Sequence, residues 1–150
     1  MRRRLSVLLL LCSATLADAD WFLNQEQEAA ENYKQGHYKE AAEGFQDNYR
    51  RGVANYRIGD YESAIENFNQ VEREEVRLDA LYNLGNSHYR LEEYEKAIVA
   101  YESVLQLQPD HEDARHNLAL ARDQLEQEQE QEQEQEQEQE QEQEQEQEQE

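Results

Sequence analysis

The chain has 150 residues with 36 Asp and Glu against 14 Lys and Arg, a net charge of -22, one Cys and one Pro. An acid excess of that size argues against nucleic acid as a partner, because phosphate contacts need clustered bases, and against a general anionic membrane surface for the same reason. The 106 residues from Asp20 to Leu125 hold 22 acids and 11 bases, enough chain for one small domain.

Residues 1–19 read as an export signal. Arg2, Arg3 and Arg4 give a positive start, and Leu5 with Val7 to Leu11 an apolar stretch. Ala17-Asp18-Ala19 then offers the small residues that a signal peptidase accepts, which puts the cut before Asp20. The apolar part runs about 13 residues, short of the ~20 that a membrane-spanning helix needs. An uncleaved inner-membrane anchor is the alternative. Cys12 follows Leu11 rather than a small residue, a poor fit to lipid modification. Cleavage leaves a mature chain without Cys, so disulfides and thiolate chemistry drop out. The expected location is the periplasm.

Three twelve-residue blocks come next, beginning at Lys34, Arg57 and Arg90, and superimpose without gaps. Each has a base, then Tyr (Tyr38, Tyr61, Tyr94), then Ala (Ala41, Ala64, Ala97), then an aromatic residue (Phe45, Phe68, Tyr101). With Ala42, Ile65 and Ile98 these positions fall at i, i+3, i+4 and i+7, one apolar stripe on an α-helix. Gly36 and Gly59 stand just before that helix, where a preceding helix must stop with φ > 0. Asp60 and Glu93 suit the positive end of the dipole at the helix start. The unit is therefore a helix–turn–helix. Its copies are expected at about 25–47, 48–77 and 78–111, with a solvent-facing cap over 112–125 carrying Leu118, Leu120 and Leu125. Tyr38 and Tyr61 are 23 apart whereas Tyr61 and Tyr94 are 33 apart, so the second helix of the first unit is shortened.

In full, the third unit also holds Leu81, Leu84, Gly85 and Tyr89, and ends at Pro109. It closely resembles the tetratricopeptide repeat, a 34-residue W-x2-L-G-x2-Y, A-x3-F, P pattern. The resemblance implies an all-α helical-hairpin solenoid of about two and a half to three repeats, with a C-terminal cap helix and a low-complexity tail. A finer likeness rests on Tyr-Arg-x-Gly-Asp-Tyr from Tyr56, on Leu84-Gly85-Asn86, and on the run from Gln108 to Leu118. Together with a Glu/Gln-rich tail, these are similar to the periplasmic repeat segment of bacterial aerotolerance-type proteins. Such segments are often fused to, or encoded beside, von Willebrand A domains and a MoxR-type ATPase. This sequence holds no von Willebrand A domain, so metal-dependent adhesion does not carry over. The likeness implies envelope protein assembly or stress tolerance rather than a reaction.

A second stripe runs beside the packing stripe on each first helix. It is Tyr82, Asn86, Tyr89 and Arg90 in the third unit, Tyr49, Val53, Tyr56 and Arg57 in the second, and Tyr33 with Lys34 in the first. A Tyr beside a base thus recurs at one place in all three units of an otherwise acidic chain. In tetratricopeptide stacks the first helices line a concave groove. The resemblance therefore implies a basic, Tyr-lined groove for a protein or an extended peptide, with an acidic segment or a C-terminal carboxylate as the fitting chemistry. Asn83 and Asn117, equivalent in consecutive first helices, suit hydrogen bonds to a peptide backbone. The competing reading makes the tyrosines packing residues. The other stripe of the second unit, Asn48, Arg51 and Asn55, looks too polar for a core face, which would turn Tyr49, Val53 and Tyr56 inward.

Nothing in the sequence points to catalysis, a cofactor or a metal. There is no Gly-rich phosphate loop and no Ser/His/Asp arrangement, and His111 and His116 are five apart, on different helix faces. His88 replaces an apolar residue and reads as a satisfied core histidine. Residues 126–150 alternate Glu and Gln, a period of 2 that builds neither an apolar helix face nor a coiled-coil seam. A solvated, fluctuating extension is expected there, or a single frayed helix of ~38 Å. The sequence reading is a non-catalytic interaction or assembly scaffold of the bacterial envelope. Its alternative is a structural protein that forms homo-oligomers. Membrane association would come only through a partner or an uncleaved leader.

Overall fold

The computed structural model describes residues 24–148. The expected signal segment, 1–19, lies outside them. The described residues are all-α, with no strand. Helix α1 spans 24–34, followed by α2 (Tyr38–Gly44), α3 (Asn48–Ile58) and α4 (Tyr61–Asn69). A 3-10 turn at Glu74–Val76 leads to α5 (Arg77–Arg90), α6 (Tyr94–Leu107) and α7 (Glu112–Glu148). The chain divides into two compact units after Ala80. Among the described residues no helix is long and apolar enough to cross a membrane.

The same turn closes three hairpins. Gly36 at φ 82°, Gly59 at φ 83° and Glu92 at φ 61° each take the left-handed conformation. The next residue then reaches back to an earlier carbonyl: His37 N–H to Asn32 O (2.9 Å), Asp60 N–H to Asn55 O (3.0 Å) and Glu93 N–H to His88 O (3.0 Å). That bond satisfies a carbonyl that the helix end leaves open. At the second turn the residue also starts the following helix, since the Asp60 carboxylate accepts from Ser63 N–H at 3.1 Å. Such a cap is worth about 1 kcal/mol.

In the first unit, Ala29, Ala41, Ala42, Phe45 and Ala54 form one buried cluster, with Ala30 and Tyr33 against it. The small side chains let the backbones approach. An added Cβ at Gly44 would lie 2.8 Å from the Ala29 Cβ, so the short α2 ends hard against α1. Phe68, 4% exposed, closes α4 onto α3 at Gly52, where an added Cβ would meet the ring at 2.7 Å. In the second unit, Ala97, Tyr101, Leu118 and Ala121 form the core, with Tyr82, Tyr89, Ile98 and Leu105 around it. There Gly85 plays the part of Gly52: an added Cβ would sit 2.6 Å from Tyr101.

Helix α7 runs unbroken from the cap into the Glu-Gln alternation as far as Glu148, 37 residues or about 55 Å. Ala114, Leu118 and Ala121 are its buried residues within the cap. Beyond Leu125 it has no apolar face, and Glu and Gln hold the helix by propensity alone.

Candidate functional site

In the first unit, α1 and α3 face each other across a hollow of about 310 Å³. Its walls are Ala30 and Tyr33 from α1, Phe45 from the turn after α2, and Tyr49 and Val53 from α3. Lys34 and Arg50 also border it. The aromatic walls are held in place. Tyr33 meets Tyr38 edge-on at 5.1 Å and Phe45 at 6.3 Å, and Tyr49 packs on Phe68 at 6.2 Å. Arg50 lies 6.0 Å over the Phe45 ring and bonds the Glu26 carboxylate at 3.0 Å. Glu26 in turn accepts from the Gln46 amide at 2.8 Å.

One turn along α3, Tyr56 packs edge-on against Tyr61 at 5.3 Å, while Arg57 stays exposed. A hydrogen bond to the Tyr33 hydroxyl, with the neighbouring Tyr38 and Tyr56, holds the Arg57 guanidinium above its usual pKa. Arg57 on α3 therefore meets α1, and the stripes expected on the first and second repeats share one surface. Lys34 is exposed on the same helix as Tyr33, 3.7 Å from Glu31. The Glu31 carboxylate is lowered in pKa, first by its bond from Gln35 and then by Lys34.

The polar stripe of α3 behaves differently from expectation. Asn55 is buried at 7% exposure, Asn48 donates to Gln70 O at 3.0 Å, and Arg51 donates twice to Phe45 O at 3.0 and 2.6 Å. This face packs by bonding the loop carbonyls that end α2 and α4, which is why polarity did not exclude it from the interior. Tyr49 and Tyr56 are half-buried, each with a ring contact on one side. Packing and groove-lining are thus combined in single side chains.

In the second unit a hydrogen-bonded cluster joins α5, α6 and α7. Asn86 Oδ1 accepts from the Tyr101 hydroxyl at 2.8 Å and from Asn117 Nδ2 at 2.9 Å. The same Asn117 nitrogen donates to the Tyr82 hydroxyl at 3.1 Å. Both amide hydrogens of Asn117 are spent in this way, leaving its carbonyl to accept, while Asn86 keeps its amide hydrogens. The amide donor of Asn86 and the amide acceptor of Asn117 are the group types that bond the C=O and N–H of an extended peptide. Tyr82 is clamped between Tyr101 at 6.1 Å and His111, stacked at 5.1 Å. His111 Nδ1 accepts from Ala114 N–H at 3.2 Å, which caps α7.

Tyr89 meets Tyr94 edge-on at 5.5 Å, the same arrangement as Tyr33–Tyr38 and Tyr56–Tyr61, and Arg90 beside it is exposed. Asn83 stands apart from the cluster: its backbone carbonyl accepts from Ser87 Oγ at 2.8 Å, and its side chain is half-buried. The structure therefore gathers Tyr82, Asn86 and Asn117, sets Tyr89 and Arg90 one turn away, and leaves Asn83 outside. His88 bonds Glu93 at 2.6 Å, and Lys96 bonds the same carboxylate at 2.6 Å. These two, Lys96 first, hold the Glu93 pKa below its ordinary value. Among the described residues no group of three or more His, Cys, Asp or Glu is placed to hold a metal ion. Sequence reasoning missed Ala30, Phe45 and Arg50, which border the hollow only because α1 and α3 come together.

Two stretches of the chain match family models for the tetratricopeptide repeat: residues 48–74 and residues 78–111. The two matched stretches hold the hairpins α3–α4 and α5–α6. Among solved structures, the chain is similar to the first such domain of Spaghetti (RPAP3) bound to the HSP90 peptide SRMEEVD, at 23% identity and TM-score 0.62. That likeness covers 69% of this chain and 92% of the other. It is also similar to the first such domain of human RPAP3, at 23% identity and TM-score 0.60, over 69% and 91% of the two chains. At this identity the likeness shows the fold. No curated protein matches the chain.

Proposed function

We propose that this chain is a non-catalytic binding module that takes a peptide segment or partner protein on the first-helix faces of its repeats. One observation carries the reading. The pairs Tyr33–Lys34, Tyr56–Arg57 and Tyr89–Arg90 recur at one place in three hairpins, each with the Tyr half-buried against the next helix and the base exposed. A fixed ring beside an exposed cation favours an acidic segment or a C-terminal carboxylate. The Spaghetti domain of like fold is bound to SRMEEVD, a peptide with that chemistry, which supports the choice.

The finer setting is part of the proposal. Arg2 to Arg4, the apolar run after them and Ala17-Asp18-Ala19 support export to the periplasm with cleavage before Asp20. The motifs from Tyr56, Leu84 and Gln108 support a place in an aerotolerance-type envelope system. N-terminal sequencing of the protein recovered from periplasm tests the first point, with Asp20 as the expected first residue. Capture from envelope extract tests the binding reading. Arg57→Glu and Arg90→Glu should abolish partner recovery while leaving helical circular dichroism intact. Undiminished recovery by the double variant would refute it. An obligate oligomer on light scattering that captures nothing would favour the structural homo-oligomer instead.

A further inference from the structure

We infer that the hollow between α1 and α3 is a side-chain pocket for one aromatic residue of a partner peptide with carboxylates on its flank. This deepens the binding reading above and rests on it. The hollow, about 310 Å³, stands at the low end of ligand pockets, the size for one large side chain rather than a whole small molecule. Its walls are apolar and preformed. Tyr33 and Tyr49 are each pinned by a second ring behind them, so a guest ring meets fixed edges and faces and orders little on arrival.

Charge selects the flank. In a chain of net charge -22, three bases stand around this one hollow: Lys34 and Arg50 on its border, and Arg57 held to its wall residue Tyr33. The nearby carboxylates are already engaged, Glu26 by Arg50 and the Gln46 amide, Glu31 by Gln35 and Lys34. Arg50 lies over Phe45 and bonds Glu26 through one nitrogen, and its guanidinium carries further donors that suit an incoming carboxylate. Three bases outnumber the two acids paired with them, so the border keeps a net positive charge that disfavours a basic flank. The pocket therefore reads an aromatic anchor next to Asp or Glu.

The test uses the full ¹⁵N-labelled chain and three synthetic peptides: acetyl-Asp-Trp-Glu-Glu-amide, its Trp-to-Ala counterpart, and acetyl-Lys-Trp-Lys-Lys-amide. The acidic Trp peptide should bind about 30-fold more tightly than the Ala peptide, the ratio of a buried aromatic anchor, with amide shifts centred on Ala30 and Val53. Lys34→Glu, a change at an exposed side chain, should weaken it several-fold with the fold intact. The lysine peptide should bind more weakly than the acidic one. Equal binding of the Trp and Ala peptides would overturn the pocket while peptide binding itself stands. Equal binding of the lysine peptide would overturn the charge selection. No shift at Ala30 or Val53 with any peptide would overturn the whole inference, and the separate capture by Arg57 and Arg90 variants would still decide the broader reading.

Discussion

Gly85→Ala should destabilise the second unit although alanine is the better helix former. The substitution gains about 1 kcal/mol of helix propensity. Against that, the new Cβ would stand 2.6 Å from Tyr101 Cε1 and 2.8 Å from Cδ1. Tyr101 has no room to yield, being 1% exposed with its hydroxyl bonded to Asn86 at 2.8 Å. Overpacking of this kind costs about 1–3 kcal/mol, so the net expectation is a loss of about 1 kcal/mol. With Tyr101→Leu the ring is gone, and Gly85→Ala should turn stabilising by up to about 1 kcal/mol. Urea unfolding of the four proteins, followed at 222 nm, measures both effects. If Gly85→Ala alone matches or exceeds the parent in stability, the close approach of α5 and α6 is not as described. The same cycle reaches function, because a displaced Tyr101 pulls on Asn86 and through it on Asn117.

Three further expectations concern the turns and caps. Glu92 has φ 61° where the equivalent residues are Gly36 and Gly59, so Glu92→Gly should raise stability by about 1 kcal/mol in the same urea assay. Glu93 has a pKa lowered from 4.5, so its contribution is complete above that pH and disappears as pH falls through the lowered value. The stability gap between the parent and Glu93→Gln, measured from pH 7 to pH 3, should be widest at neutral pH and close in acid; a constant gap would contradict the assignment. Asp47 accepts from Arg50 N–H at 3.0 Å and pairs with Arg73 at 2.9 Å, and Asp47→Ala should cost about 1 kcal/mol, shown by a lower urea midpoint.

The hairpins were readable in the sequence because their information is local. Tyr, Ala and an aromatic at fixed helical spacing announce a packing stripe, and Gly36 and Gly59 mark the turns. The candidate site was readable only in part. Tyr49, Tyr56, Tyr82 and Tyr89 could be read from spacing as either packing or groove residues, and each ring divides itself between packing and surface, a distinction no spacing rule carries. Asn117 lies 31 residues from Asn86, so their bond follows from how the helices meet. Asn48 and Arg51 misled for a related reason: their partners are carbonyls at the ends of α4 and α2, invisible to a reading by side-chain polarity. The hollow with Arg50 on its border is likewise a product of tertiary approach.

Glu92 stands fifteenth from the start of the third repeat and Glu126 fifteenth from the start of α7, yet they do opposite things. At Glu92 the backbone reverses through a strained left-handed angle; at Glu126 the helix continues straight on. Side-chain identity cannot distinguish the two; the residues on their C-terminal side do. After Glu92 come Tyr94, Ala97, Ile98 and Tyr101, a strip whose burial repays the strain, whereas after Glu126 the chain is only Glu and Gln, with nothing to bury. Reversal here is decided downstream, by a helix that has somewhere to go.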